Sequence, residues 1–249
     1  MDLVKKSQKA LVLNKLFTKQ LKNKKEYDYI DLYCKEKPLD WTASVWDLDS
    51  LNFLLKYDPP FIKIASALVT NLELLTEVCK ANVPIMFSTG MCELAEVDTA
   101  VDIVCKYTDN FVLMHTNSSY PTPVEELNLS LIPFYKNRYQ CPVGYSGHEY
   151  GIEPTVIAHY LGANIIERHI TLSHDMWGTD QQSSVEIKEQ IDELLKPLKD
   201  DTLKNTTYAD DVSRLMKAWE NDIATLDKMG YPEVAKAFQE YDKFVSSGM

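Results

Sequence analysis

Short apolar runs alternating with helix-patterned stretches dominate residues 39–171. The runs are Leu39 to Ser44, Phe61 to Ser66, Pro84 to Ser88, Phe111 to His115, Pro142 to Ser146 and Asn164 to His169. None exceeds six residues, and their apolar residues cluster rather than strictly alternate, as in strands buried on both faces of a parallel sheet. Between them lie amphipathic stretches. In NLELLTEVCKAN, Leu72, Leu75, Val78 and Cys79 share one helical face and Asn71 is placed to cap. CELAEVDTAVDIVCKY and EPTVIAHYLGAN have the same pattern. Strand starts recur every roughly 22 to 31 residues, the repeat of a βα unit. Six consecutive units predict an α/β fold of the TIM-type (β/α) barrel kind.

The flanks differ. Ala10, Leu13, Phe17 and Leu21 recur at helical spacing, so residues 1–26 are expected to form a basic amphipathic helical leader. After Ser184 the strand pattern stops. Trp219, Ile223 and Leu226, then Val234, Phe238 and Tyr241, predict a helical tail over 200–249 packed on the barrel. The expected organisation is thus leader 1–26, partial barrel 27–199 and tail 200–249.

Composition narrows the function. The chain has 249 residues, is 45% apolar and 25% charged, and carries a formal charge of −11, which argues against general nucleic-acid binding. The charge is uneven, because residues 1–25 hold eight lysines and one acid. No apolar run is long enough to span a membrane, and no signal-peptide pattern opens the chain. Five widely spaced cysteines without a CxxC pair predict reduced thiols and a cytoplasmic protein.

Chemistry is expected at the C-terminal ends of the strands. These carry Ser44, Lys63, Ser66, Ser88, Thr89, His115, Ser146, His148, Glu167 and His169. Lys63 with hydroxyls at Ser44, Ser66, Ser88, Ser118 and Ser146 suits a phosphate, since a dianion needs many donors and a positive charge. His148 and His169 follow consecutive strands and could share one divalent ion with open positions, Mn²⁺, Co²⁺, Zn²⁺ or Fe²⁺. His115 is expected to be structural or supporting, and His159 and His174 have no assigned role. The chain has no GxxxxGK[ST] or GxGxxG loop and no GxSxG elbow, so nucleotide binding and covalent hydrolysis lack support.

The blocks DWTASVWDLDS, FIKIASALVTN, PIMFSTGM, HTNSSYPTPVEELNL, PVGYSGHEYGIEP and LGANIIERHITLSHDMWGTDQQSSVE carry a likeness. In order and spacing they resemble the barrel domain of the N-acetylneuraminate (sialic acid) synthase family, from about Tyr27 to Glu186. The resemblance implies condensation of phosphoenolpyruvate with an N-acyl aldose such as N-acetylmannosamine, giving a nonulosonic acid and phosphate. By it, Ser44, Lys63, Ser66, Ser88, Ser118 and Ser146 would hold the phosphate, and His148 and His169 the metal, with Mn²⁺ foremost and Mg²⁺ or Co²⁺ as alternatives. Tyr120 and Asp180 would contact the sugar, Glu167 would lie beside the metal, and Lys63 and Glu167 would be catalytic.

Two departures accompany the resemblance. Leu68 stands where some members carry an acid, which marks a subgroup. Nothing in residues 1–26 resembles the family's first two strands, with their AEIG-x-NH-type and VKFQ-type motifs, and the C-terminal antifreeze-like domain has no counterpart. The expectation is therefore a barrel with open edges at Leu39–Ser44 and Asn164–His169. The leader, the tail, a second copy or a partner chain would cover them. The alternative function is a catalytically impaired relative serving as a binding protein, scaffold or subunit.

Overall fold

The computed structural model describes residues 10–13, 24–37, 39–171 and 173–186. The chain divides into two compact units, residues 1–114 and 115–249, with the division inside one strand.

The first unit is a parallel sheet with its helices. Its elements in chain order are β1 (Ala10–Leu13), α1 (Lys24–Glu36), β2 (Asp40–Val45), α2 (Leu48–Leu54), β3 (Ile62–Ile64), α3 (Leu72–Lys80), β4 (Ile85–Ser88), α4 (Leu94–Cys105) and the first four residues of β5 (Phe111–Thr116). Neighbouring strands pair in parallel in sequence order. Ile62, Ile64, Ile85, Phe87, Val112 and Leu113 are buried within it, and α3 and α4 close over them with Leu75, Val78, Val97 and Val104. The apolar-rich runs mark these strands because both sheet faces are covered.

Local chemistry sets the helix starts. Asn71 caps α3 by accepting from the Leu74 N–H at 3.1 Å, as its position predicts. Asp47 and Ser50 form a reciprocal capping box at α2. Leu72, assigned to the buried face of α3 from its spacing, is exposed at the first turn, and Leu74 is buried instead.

The leader needs correction. Ala10–Leu13 is a strand, not part of a helix, and lies in parallel register with β2, Ala10 against Asp40 and Leu13 against Ala43. The helical spacing there loses to backbone pairing along an apolar edge that would otherwise stay open. Helix α1 begins at Lys24, so it crosses the boundary expected at residues 26 and 27. Tyr27 on α1 packs edge-on against Phe53 of α2 at 4.9 Å, and the Trp41 indole N–H on β2 donates to Asp31 of α1. The edge of β2 expected to be open is therefore paired by this chain.

The second unit holds the last two residues of β5, then α5 (Leu131–Tyr139), β6 (Val143–Gly147), α6 (Glu153–Tyr160), β7 (Ile166–Thr171) and β8 (Ser184–Glu186). β6, β7 and β8 are parallel, with Ser146 against Glu167 and His169 against Ser184. The Thr116 hydroxyl donates to the Ser146 carbonyl at 2.6 Å and fastens the end of β5 to β6. β8 covers the edge of β7 that was expected to be open. The helical tail expected over residues 200–249 lies outside the described residues, and the strand pattern expected to stop after Ser184 runs on to Glu186 in β8. Among the described residues no helix is long and apolar enough to cross a membrane.

Candidate functional site

In the first unit, strand register builds a polar row on one sheet face. Ser44 is paired with Lys63, Lys63 with Met86, and Ser88 lies one pleat repeat beyond Met86 on the same side. Lys63 is 3% exposed between the fully buried Ile62 and Ile64. Burying an ammonium in such surroundings requires anionic or hydrogen-bonding neighbours. Ser88 is also 3% exposed, and among the described residues its hydroxyl is buried with no hydrogen-bond partner. A buried hydroxyl without a partner is the feature a bound oxyanion would satisfy. Ser66 accepts from the Gly90 N–H at 3.1 Å, which leaves its own O–H able to donate. Thr89 is used differently, since its N–H and hydroxyl both go to the Met114 carbonyl.

In the second unit, pleat alternation separates neighbours on β7. Glu167 and His169 fall on one face and Arg168 on the other. Arg168 turns into the protein and meets Glu149, which is fully buried, at 2.9 Å. Its guanidinium also donates to the Gly151, Glu149 and Ser183 carbonyls and to Thr155. Tyr145 and Thr155 hydroxyls donate to the Glu149 carboxylate, each at 2.7 Å. This network joins β6, α6, β7 and the turn before β8. Gly147 makes room for it: a Cβ there would sit 2.5 Å from a Glu149 carboxylate oxygen.

His148 and His169 are the chain neighbours of that ion pair, one following β6 and one on β7. Their rings are 5.1 Å apart between centroids and steeply inclined, at 72°. The structure thus brings together the two imidazoles that the sequence singles out. His148 Nδ1 faces the Asn117 carbonyl at 2.5 Å, so Nδ1 carries the proton and Nε2 the lone pair. Tyr120 lies stacked on His148, centroids 4.1 Å apart, with its hydroxyl 3.1 Å from Nε2. Asp180 reaches within 3.8 Å of His169 Nδ1. Burial, then the charges of Asp180 and Glu167, push the Tyr120 phenol up to about 12, so Tyr120, Asp180 and Glu167 belong to one electrostatic neighbourhood. Ser146 is buried beside Glu167 in register, and Ser118 is half-buried in the loop after β5.

The fit to a metal can be judged from these donors. Among the described residues no group of three or more His, Cys, Asp or Glu side chains is arranged to hold a metal. Two imidazoles, one with its tautomer fixed by a carbonyl, fit an open divalent centre whose other positions go to ligand and water. They do not fit a closed structural zinc. Two of the other histidines, His115 and His174, are structural. His115 is buried, its Nε2 2.7 Å from the Leu127 carbonyl, and burial drives its pKa down to about 4. His174, given no role from sequence, bonds to the Ser184 carbonyl and shapes the turn between β7 and β8. All five cysteines are free, and burial pushes the Cys79 and Cys92 thiols up to about 11, which leaves both protonated.

Sequence reasoning missed Glu149 and the purpose of Arg168. The signal was present, because an arginine inside an apolar strand needs a partner and Glu149 directly follows His148.

Parallel βα units with polar strand ends define an α/β protein of the TIM-type class. Within that class, residues 3–204 match the NeuB family, and the chain belongs to it, the sialic acid synthase family. An N-acetylneuraminate-9-phosphate synthase of Drosophila melanogaster is 38% identical over 169 residues, covering 67% of this chain and 45% of the relative. An N,N'-diacetyllegionaminic acid synthase of Campylobacter jejuni is 34% identical, covering 66% of this chain and 50% of the relative. The chain spans about half the length of these two relatives. A solved N-acetylneuraminic acid synthetase of Leptospira borgpetersenii, in complex with citrate, superposes with a TM-score of 0.65 at 27% identity, covering 82% of this chain and 79% of that one.

Proposed function

We propose that the chain takes part in a phosphoenolpyruvate-dependent condensation that joins an N-acyl aldose, such as N-acetylmannosamine, to the three-carbon unit and releases phosphate. The observation that carries this reading is the crossed His148–His169 pair, with the His148 tautomer fixed by Asn117, in a chain of the NeuB family. In the first unit, Lys63 with Ser44, Ser66 and Ser88 receives the phosphate; the ammonium offsets the charge that develops on the departing group. In the second unit, Ser118 and Ser146 supply hydroxyl donors. His148 and His169 hold a divalent ion, Mn²⁺ foremost and Mg²⁺ or Co²⁺ as alternatives. Such an ion supplies Lewis-acid polarisation of a carbonyl oxygen. Tyr120 and Asp180 orient the sugar by hydrogen bonding, and Glu167, on the face of His169, handles the proton of the attacking water. The Tyr120 phenol, held up at about 12, stays protonated at neutral pH and serves as a donor.

Phosphate release from phosphoenolpyruvate, with N-acetylmannosamine and Mn²⁺, tests the proposal. His148→Ala is expected to abolish turnover. Ser88→Ala is expected to lower it by about 10²-fold, the usual cost of one preorganised donor. Absence of turnover in the unaltered chain over all three metals would reject the enzymatic reading.

A further inference from the structure

The nitrogen of His148 that a metal would require already carries a cap. The Asn117 carbonyl can only accept, so it takes the Nδ1 proton and leaves Nε2 as an acceptor. The Thr116 hydroxyl, 3.4 Å from Nδ1, gives its own proton to the Ser146 carbonyl and so reinforces this tautomer. The Tyr120 hydroxyl therefore donates to Nε2, across 3.1 Å. Its ring lies along the His148 ring and stands edge-on to His169 at 5.8 Å.

One lone pair serves one strong partner at a time. A phenol donating into Nε2 and a cation coordinated by Nε2 exclude each other. We propose that Tyr120 is a displaceable cap on the site, seated on His148 Nε2 and driven off when a metal takes that nitrogen. The proposal rests on the reading that His148 is a metal ligand.

Two features make the cap movable. Tyr120 is 43% exposed, so its ring can turn toward solvent without opening the core. Tyr145 on β6 is the contrast: it is buried and its hydroxyl is fixed to the Glu149 carboxylate. The displaced Tyr120 hydroxyl is then available to a polyhydroxylated ligand, which would couple metal binding to sugar binding in one order, metal first. The cap also sets a threshold for the ion, because each metal must outcompete the phenol before it is held.

Mn²⁺ alone is the probe, titrated into the full chain and followed by loss of the free-ion electron paramagnetic resonance signal. Tyr120→Phe keeps the ring stack and deletes the hydroxyl. It is expected to bind Mn²⁺ about five- to tenfold more tightly, the worth of one net hydrogen bond. Tyr120→Leu, which also lacks the hydroxyl, should tighten binding in the same direction and guards against a folding defect in a single variant. Unchanged or weaker binding in both variants overturns the cap, and weaker binding in Tyr120→Phe would make the phenol a ligand. If instead the unaltered chain binds no Mn²⁺, or His148→Ala binds it equally well, the metal reading itself fails and the cap falls with it.

Discussion

Single residues carry more than their sequence positions suggest. Gly147 is required by a close approach, not by a turn. A methyl group there would meet two Glu149 oxygens at 2.5 and 2.8 Å and the Tyr145 ring at 2.8 Å. Gly147→Ala must therefore disturb the buried carboxylate, and urea denaturation is expected to show a loss of about 1–3 kcal/mol, the usual range for overpacking. His115 gives a pH signature. Buried, it stays neutral down to about 4, whereas the unfolded chain protonates it near 6.5. Between these values the unfolded state binds the extra proton, so stability falls as pH falls through the window. The total is about 3 kcal/mol at one pKa unit per roughly 1.4 kcal/mol. Unfolding free energies measured from pH 7 to pH 4 should show this decline, and His115→Asn should flatten it.

At the scale of elements, the strands that the sequence declares and those it hides differ for a physical reason. β2 to β6 are legible because burial on both faces makes their runs short and rich in apolar residues, and the helices between them show a single apolar face; β7, IERHIT, is only half-buried and shows by its place in the repeat. β1 is hidden because ALVL lies among lysines, with Ala10 and Leu13 falling on a helical spacing that competes with the strand reading. β8 is hidden because three residues, SVE, are too few to show any period. Removal of residues 1–13 should expose one edge of β2. Faster hydrogen exchange of amides between Asp40 and Ala43, with the rest of β3 and β4 unaffected, is the expected result; unchanged exchange would contradict the β1–β2 register. The site divides in the same way. The paired histidines were legible because they lie at the ends of consecutive apolar runs, and a parallel register puts them level. The stacking of Tyr120 and the Glu149–Arg168 contact were not, since both depend on how loops fold back and which way a pleat faces.

For the molecule as a whole, charge and composition limited the function classes, while the candidate chemistry came from strand ends in each unit. The first unit contributes a buried ammonium and a hydroxyl with no partner among the described residues, and the second contributes imidazoles, carboxylates and a phenol. Neither inventory needs a cysteine, in keeping with five free thiols. The buried ion pair has one more consequence. Glu149 is bonded in sequence to His148, and Arg168 to His169, so the groups that hold this unit folded and the groups proposed to do its chemistry are adjacent along the backbone. Substitutions at Gly147, Glu149 or Arg168 should then eliminate the folded protein before they can offer an altered activity. New specificity in such a lineage has to arise elsewhere, in loops such as Asn117–Tyr120 and Ser173–Asp180, where a changed side chain leaves the scaffold intact.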